Sequence, residues 1–217
     1  VVRFFRDDDI LHVKGQHNPY EDFQDINLEL ILADLNTLSK YLERLKKSKM
    51  PPKEKDVLVT ELESLIEHLS DDNFASSFHF SDELLSLNDL KLLTKKPMFI
   101  IANINDKTDE NEVLEFQKKI SDNIRLVTID VKLEQDISDL DPNDQADFMD
   151  EMGIKENALT RIIRKGYELL GLKTFFTSGP KETRAWAAKK DFNARECSGI
   201  IHTDIQKGFI RAETVSY

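Results

Sequence analysis

Leucine and isoleucine recur on a seven-residue rhythm over two stretches of the chain, and that rhythm constrains the fold more than any other feature. Leu28, Ile31, Leu35, Leu38, Leu42 and Leu45 alternate spacings of three and four residues, and Leu58, Leu62, Leu65 and Leu69 repeat the pattern. Such spacing lines one helix face with side chains that pack into the matching face of another helix. Met50-Pro51-Pro52 separates the two runs, and proline lacks the amide hydrogen that a helix interior needs. The pattern predicts two helices folded back on each other as an antiparallel hairpin. The first is expected to start near Asp22 or Asp25, where an acid suits the positive end of a helix.

The segments on either side of the hairpin have a different character. Val1–Phe5 reads as a strand, and Met98–Ile104 is apolar enough for a parallel strand buried on both faces. Between hairpin and second strand lie an expected loop, Asp71–Asp82, and a helix, Leu84–Leu93, stopped by Lys95-Lys96-Pro97. Helix Glu110–Ser121, strand Arg125–Val131 and helices Leu133–Leu140, Asn143–Met152 and Leu159–Leu170 complete an α/β arrangement. A hairpin whose two ends lie together can be inserted in such a fold without breaking its sheet. Beyond Gly171, strand Thr174–Thr177, the turn at Gly179-Pro180, a strand through Trp186 and a last strand Gly208–Ser216 predict a β-rich tail. In that tail Phe175, Phe176 and Trp186 read as core.

The net charge of −11 argues against a general polyanion binder, but its distribution is uneven. Residues 40–55 carry seven Lys or Arg against two Glu, and residues 161–217 carry eleven against six acids. Residues 134–151 hold eight acids and no base. A basic run can meet RNA or simply solvate a helix surface, and both readings stay open. The single cysteine, Cys197, forms no internal disulfide and fits a reducing cytoplasm. The longest purely apolar run, Met98–Ala102, is too short to span a bilayer. The chain opens on an apolar strand without an initiator Met, and reads as a fragment.

Asn103-Ile104-Asn105-Asp106 stands where a buried strand gives way to a helix, the place at which α/β sheets bind ligands. An asparagine there can hold a ring edge and brace neighbouring loops, and a carboxylate can accept from base N–H groups. The same residues also suit an ordinary capped helix start. His12 lies in a loop directly after the first strand, and an imidazole titrates near neutrality. His202-Thr203-Asp204 has no second ligand cluster beside it and reads as structural. The sequence contains no Gly-x-x-x-x-Gly-Lys-Ser/Thr, so it shows no loop of its own to cradle phosphates.

Three longer strings carry a resemblance. Ile26-Asn-Leu-Glu-Leu-Ile-Leu-Ala-Asp-Leu35, Gly166-Tyr-Glu-Leu-Leu-Gly-Leu-Lys-Thr-Phe-Phe-Thr-Ser-Gly-Pro-Lys-Glu-Thr-Arg-Ala-Trp186 and Gly199-Ile-Ile-His-Thr-Asp-Ile-Gln-Lys-Gly-Phe-Ile-Arg-Ala-Glu213 resemble the Obg-like ATPases, the YchF-type branch of the P-loop GTPase superfamily. The likeness implies the C-terminal half of a G domain (1–24 and 95–170), an inserted coiled-coil hairpin (25–94) and a partial, β-grasp-like TGS domain (171–217). It implies ATP and Mg²⁺ as cofactors, with the Mg²⁺ ligands lying outside this chain. Asn103, Ile104, Asn105 and Asp106 then fall on the base-recognition motif. The apolar Ile104 matches the ATPases, whereas Asp106 matches the Asn-Lys-x-Asp of GTP-specific relatives, so GTP stays possible. Lys132 is the retained member of a Ser-Ala-Lys base-facing loop. His12 matches the histidine of Ile-Ile-His-Val-x-Gly, which implies a catalytic role on water. The implied activity is ATP hydrolysis linked to ribosomes, with ribosome or RNA contact through the hairpin tip and TGS face. The alternative is a non-catalytic ribosome- or RNA-binding adaptor whose conformation is set by nucleotide. Without a P-loop, this chain alone is expected to be inactive.

Overall fold

The structure is a computed structural model. It describes the chain except residues 8, 11, 13, 14, 16, 86–89, 122, 123, 181 and 217 and the side chains of 83, 85 and 143. The chain divides into two compact units, Val1–Asp136 and Ile137–Tyr217.

In the first unit, β1 (Val2–Arg3), β2 (Phe99–Asn103) and β3 (Arg125–Ile129) form a parallel sheet in that order. Val2 pairs with Ala102, and Phe99 through Asn103 pair with Arg125 through Ile129. The register sets Val2, Ile100 and Ala102 into one core with Phe4, with Phe116 of α4 (Glu110–Lys119) and with Phe23 of α1 (Pro19–Lys47). Phe116 meets Phe4, Phe23 and Tyr20 edge to face, at centroid distances of 5.1, 5.7 and 6.3 Å. These contacts add specific geometry to the area the rings bury. Strand β2 alternates buried and half-buried residues, so the expectation of two buried faces is met on one face only. That face is the one α1 and α4 cover.

Helix α1 begins earlier than the acids suggested. Asn18 accepts the N–H groups of Tyr20 and Glu21 on its side-chain oxygen, and Pro19 fills the first helical position, where no amide hydrogen is missed. The helix runs 29 residues to Lys47, and α2 (Pro52–Ser70) returns after the Pro51-Pro52 break. Leu38, Leu62, Leu65 and Leu69 are fully buried along the shared seam, Ile31, Leu45 and Leu58 almost so, and Leu35 and Leu42 partly. Leu28 is 46% exposed and lies outside the seam. By that point α1 has passed the end of α2 and turned to the aromatic core through Phe23.

After α2 the chain makes a 3₁₀ turn (Ala75–Ser77) and a short α3 (Asp82–Leu85). The helix expected over Leu84–Leu93 is not continuous. Residues 90–92 are non-helical, and 86–89 lie outside the described residues. A tertiary anchor takes precedence over helix propensity here. The carboxylate of Asp34, 2% exposed, accepts the N–H of Leu93 (2.7 Å), the N–H of Thr94 (2.8 Å) and the hydroxyl of Thr94 (2.7 Å). Thr94 in turn accepts the Ala75 N–H on its hydroxyl and the Ser76 N–H on its carbonyl. One buried acid on α1 thus ties down both segments that leave the hairpin.

Helix α5 (Val131–Ser138) crosses the division between the units. The second unit holds α6 (Pro142–Glu151), α7 (Ala158–Leu169), the antiparallel pair β4 (Leu172–Ser178) and β5 (Thr183–Lys189), α8 (Ala194–Ile201) and α9 (Thr203–Lys207). Phe175 lies opposite Trp186, whose indole N–H donates to Thr177 Oγ1 at 2.9 Å; both are half-buried and Phe176 is 53% exposed, so none of the three is the fully buried core residue expected. Helices α8 and α9 were not anticipated, although Asn193 and Glu196 form a reciprocal capping box at the start of α8. His202 caps α9, its Nδ1 accepting the Asp204 N–H at 3.2 Å, in keeping with a structural role. The last strand expected over Gly208–Ser216 is not formed. A strand exists through its ladder, none pairs with these residues, and Ile210 and Val215 are 91% and 90% exposed.

Candidate functional site

The carboxyl ends of the three parallel strands are tied together by the residues that the sequence singled out. The carbonyl of Asn103 accepts the N–H groups of Phe4 (2.8 Å) and Phe5 (3.0 Å) from the β1 exit. Its side-chain oxygen accepts the N–H of Val131 at the β3 exit, at 3.3 Å. Ile104 donates its N–H to the Ile129 carbonyl at 2.8 Å and rests its side chain on the aromatic core. Asn105 donates from Nδ2 to the Arg6 carbonyl (3.3 Å), and its Oδ1 accepts the Lys107 N–H (3.2 Å). Its own N–H is taken by the Thr108 hydroxyl at 2.9 Å. Asp106 is exposed in the turn between β2 and α4.

Lys132 is exposed in the first turn of α5, and Asp130 before it accepts the Leu133 N–H at 2.9 Å as a helix cap. Asn103 and Asn105 therefore share one braced edge with the β1 and β3 exits. Chemically, such an edge offers fixed amide groups and an exposed carboxylate beside an apolar Ile104, a combination suited to a planar heterocycle with polar edges.

His12 lies in the connection from β1 to α1. Its Nε2 is 2.9 Å from Asp22 Oδ2, with side-chain exposures of 16% and 17%. Its carbonyl accepts the Gly15 N–H at 2.9 Å, and Gly15 takes the φ of +70° that such a turn needs. Arg3 gathers the same connection by donating to the carbonyls of Phe5 (3.2 Å), Asp7 (3.1 Å) and Ile10 (2.9 Å). Sequence reasoning missed Arg3 and Thr108, for which no local pattern exists, and took Asp22 only as a helix-start acid. Among the described residues no three His, Cys, Asp or Glu side chains converge as a metal cage. Nor, among them, is any helix long and apolar enough to cross a membrane.

The chain is similar to known proteins over its whole length. Residues 172–217 match the family model described as "YchF-GTPase_C: Protein of unknown function (DUF933)". The protein called ribosome-binding ATPase YchF in Bacillus subtilis is 40% identical over 225 residues, covering 100% of this chain and 62% of its own length. The protein of the same name in Escherichia coli O157:H7 is 40% identical over 222 residues, covering 100% of this chain and 61% of its own. The chain thus spans about three fifths of the length of these relatives. A solved structure titled as the YchF GTPase of Schizosaccharomyces pombe superposes with a TM-score of 0.77 at 27% identity, over 96% of this chain and 59% of the other. From Val1 to Tyr217, the chain is a homologue of the YchF proteins.

Proposed function

We propose that this chain supplies base recognition and partner contact to a cytoplasmic ATPase that acts on ribosomes. In this reading residues 1–24 and 95–170 belong to a G domain, 25–94 are its coiled-coil insertion and 171–217 belong to a TGS domain. The names of the relatives support the activity. The observation that carries the site is the braced edge, in which Asn103 bridges to Val131 and Asn105 to Arg6. Held so, Asn103 and Ile104 face the base, Asn105 keeps the two loops in register, exposed Asp106 accepts from base N–H groups and Lys132 borders the ring. ATP is the preferred nucleotide and GTP the competitor that Asp106 admits. In such a protein Mg²⁺ neutralises charge on the phosphates. His12 acts on the attacking water. Arg44, Lys46, Lys47, Lys49 and Lys53 are exposed around the hairpin tip and favour a phosphate backbone.

The test is equilibrium binding of a fluorescent ATP analogue to the full-length protein that carries this chain. Asn103→Ala is expected to weaken binding about tenfold, the worth of a lost charge-independent clamp of one to two hydrogen bonds. Unchanged affinity would remove the base-binding assignment.

A further inference from the structure

We propose that Arg184, stacked on Trp186 near the turn of the β4–β5 hairpin, contacts the phosphate backbone of RNA, with the Thr177 hydroxyl as the second donor. The inference rests on the reading of ribosome contact and gives that contact a point besides the basic tip of the coiled-coil hairpin. Strand β5 sends Arg184 and Trp186 to one face, because side chains two apart in a strand share a side. The guanidinium carbon lies 4.3 Å from the centre of the Trp186 ring, within cation–π range. Thr177 stands opposite Arg184 in the ladder, and its hydroxyl accepts the indole N–H at 2.9 Å. The ladder and this bond fix the indole, and the indole fixes the guanidinium.

Two features separate this arginine from one that only solvates a strand. It is exposed, yet among the described residues it makes no ion pair and donates no hydrogen bond; its one described partner is the indole. Glu182, the acid nearest in sequence, does not pair with it. Stacking covers a face of the guanidinium and leaves the N–H fork at its edge, the part that meets a phosphate bidentately. The Thr177 hydroxyl, having accepted the indole N–H, keeps its own hydrogen to donate on the same face. An anion there meets donors already held in place, so less freedom is lost on binding. A carboxylate also fits such a fork. The charge of the segment favours the polyanion, since residues 171–217 carry eight Lys or Arg against five Asp or Glu.

The experiment uses the full-length protein that carries this chain and a fluorescein-labelled, single-stranded oligouridine of about 12 nucleotides, followed by anisotropy from about 50 mM salt upward. Arg184→Ala should weaken binding about tenfold and flatten the log–log salt dependence by about 0.7, the share of one phosphate on a single strand. Arg184→Lys keeps the charge but lacks the planar fork, and should weaken binding about threefold with the salt slope unchanged. The comparison is repeated with Lys47→Glu/Lys49→Glu, which removes the contact at the coiled-coil tip, and circular-dichroism melts verify that each variant is folded. Oligouridine that fails to bind the wild-type protein, or binds Arg184→Ala as tightly, would overturn the proposal. So would full affinity in Arg184→Lys, which would reduce the stacked fork to a plain charge. Polyglutamate that displaces the RNA at equal charge would make an acidic protein chain the partner instead. Wild-type protein that does not sediment with ribosomes, while Arg184→Ala still loses oligouridine, would remove the ribosome reading and leave the RNA contact standing.

Discussion

Replacing Asp34 with alanine should cost the hairpin about 3 kcal/mol, estimated from the groups it would strand. The carboxylate accepts three hydrogen bonds of 2.7–2.8 Å and is 2% exposed. Thr94 is fully buried, so its N–H would lose its partner and find no water, at about 1–3 kcal/mol. Leu93 is 38% exposed, and its N–H can return to solvent, so its share is smaller. The Thr94 hydroxyl keeps the Ala75 N–H, which limits the third loss. Asp34→Asn should cost about 2 kcal/mol, because one of its two polar atoms becomes a donor facing donors. Urea unfolding followed by circular dichroism gives the totals. Hydrogen exchange at Leu93 and Thr94 should show the loss first, as local opening. A double-mutant cycle with Thr94→Val isolates the side-chain pair at about 1 kcal/mol of coupling. An Asp34→Ala variant destabilised by less than about 0.5 kcal/mol, a typical surface value, would refute the anchor.

Three further outcomes follow from particular residues. Ile104→Lys brings the motif to Asn-Lys-Asn-Asp and should shift nucleotide competition toward GTP by about tenfold, the worth of one charge-assisted hydrogen bond; an unaltered ATP/GTP ratio would place Ile104 away from the base. Lys47→Glu with Lys49→Glu should reduce co-sedimentation with ribosomes and flatten its log–log salt dependence by about two, without changing ATP affinity. Lys46 is a poorer choice there, because it already pairs with Glu63 at 2.8 Å. Gly171→Ala should lower stability by about 1–2 kcal/mol in thermal melts, since Gly171 ends α7 at φ +60° and a β-carbon is strained in that region.

The hairpin was legible because its chemistry is periodic. All four leucines of the second run are buried, and the first run fails only at Leu28, where the partner helix has ended. The parallel strands were legible for the same reason, since short apolar runs flanked by polar exits have few other uses. What escaped depended on residues distant in sequence. Asp34 and Thr94 are sixty positions apart, and nothing near either announces that the acid caps a returning chain. Helix α1 starts at Pro19 rather than at Asp22 or Asp25 because the Asn18 side chain caps its first N–H groups and Pro19 needs no amide partner there. Gly208–Ser216 alternates like a strand, but alternation only makes pairing possible, and the ladder must come from elsewhere. Of the candidate site, the strand exit was readable and the bonds joining it to Arg6 and Val131 were not, because loops leave no period behind them.

Helix α1 has a mechanical consequence. It is 29 residues without a break, gripping the His12 loop through Asp22 at one end and carrying the lysine-rich turn at the other. At 1.5 Å per residue it measures about 43 Å, so a tilt of about 5° pivoting on its first turn sweeps the tip through about 4 Å. The ratio runs both ways. A partner that displaces the tip by about 3 Å tilts the rod by about 4° and moves atoms beside the pivot by only a fraction of an ångström, whereas an adjustment of the Asp22–His12 contact is magnified at the far end into a distance that a large assembly can feel. The rod is better geared to carry a change at the His12 loop outward than to carry a touch inward.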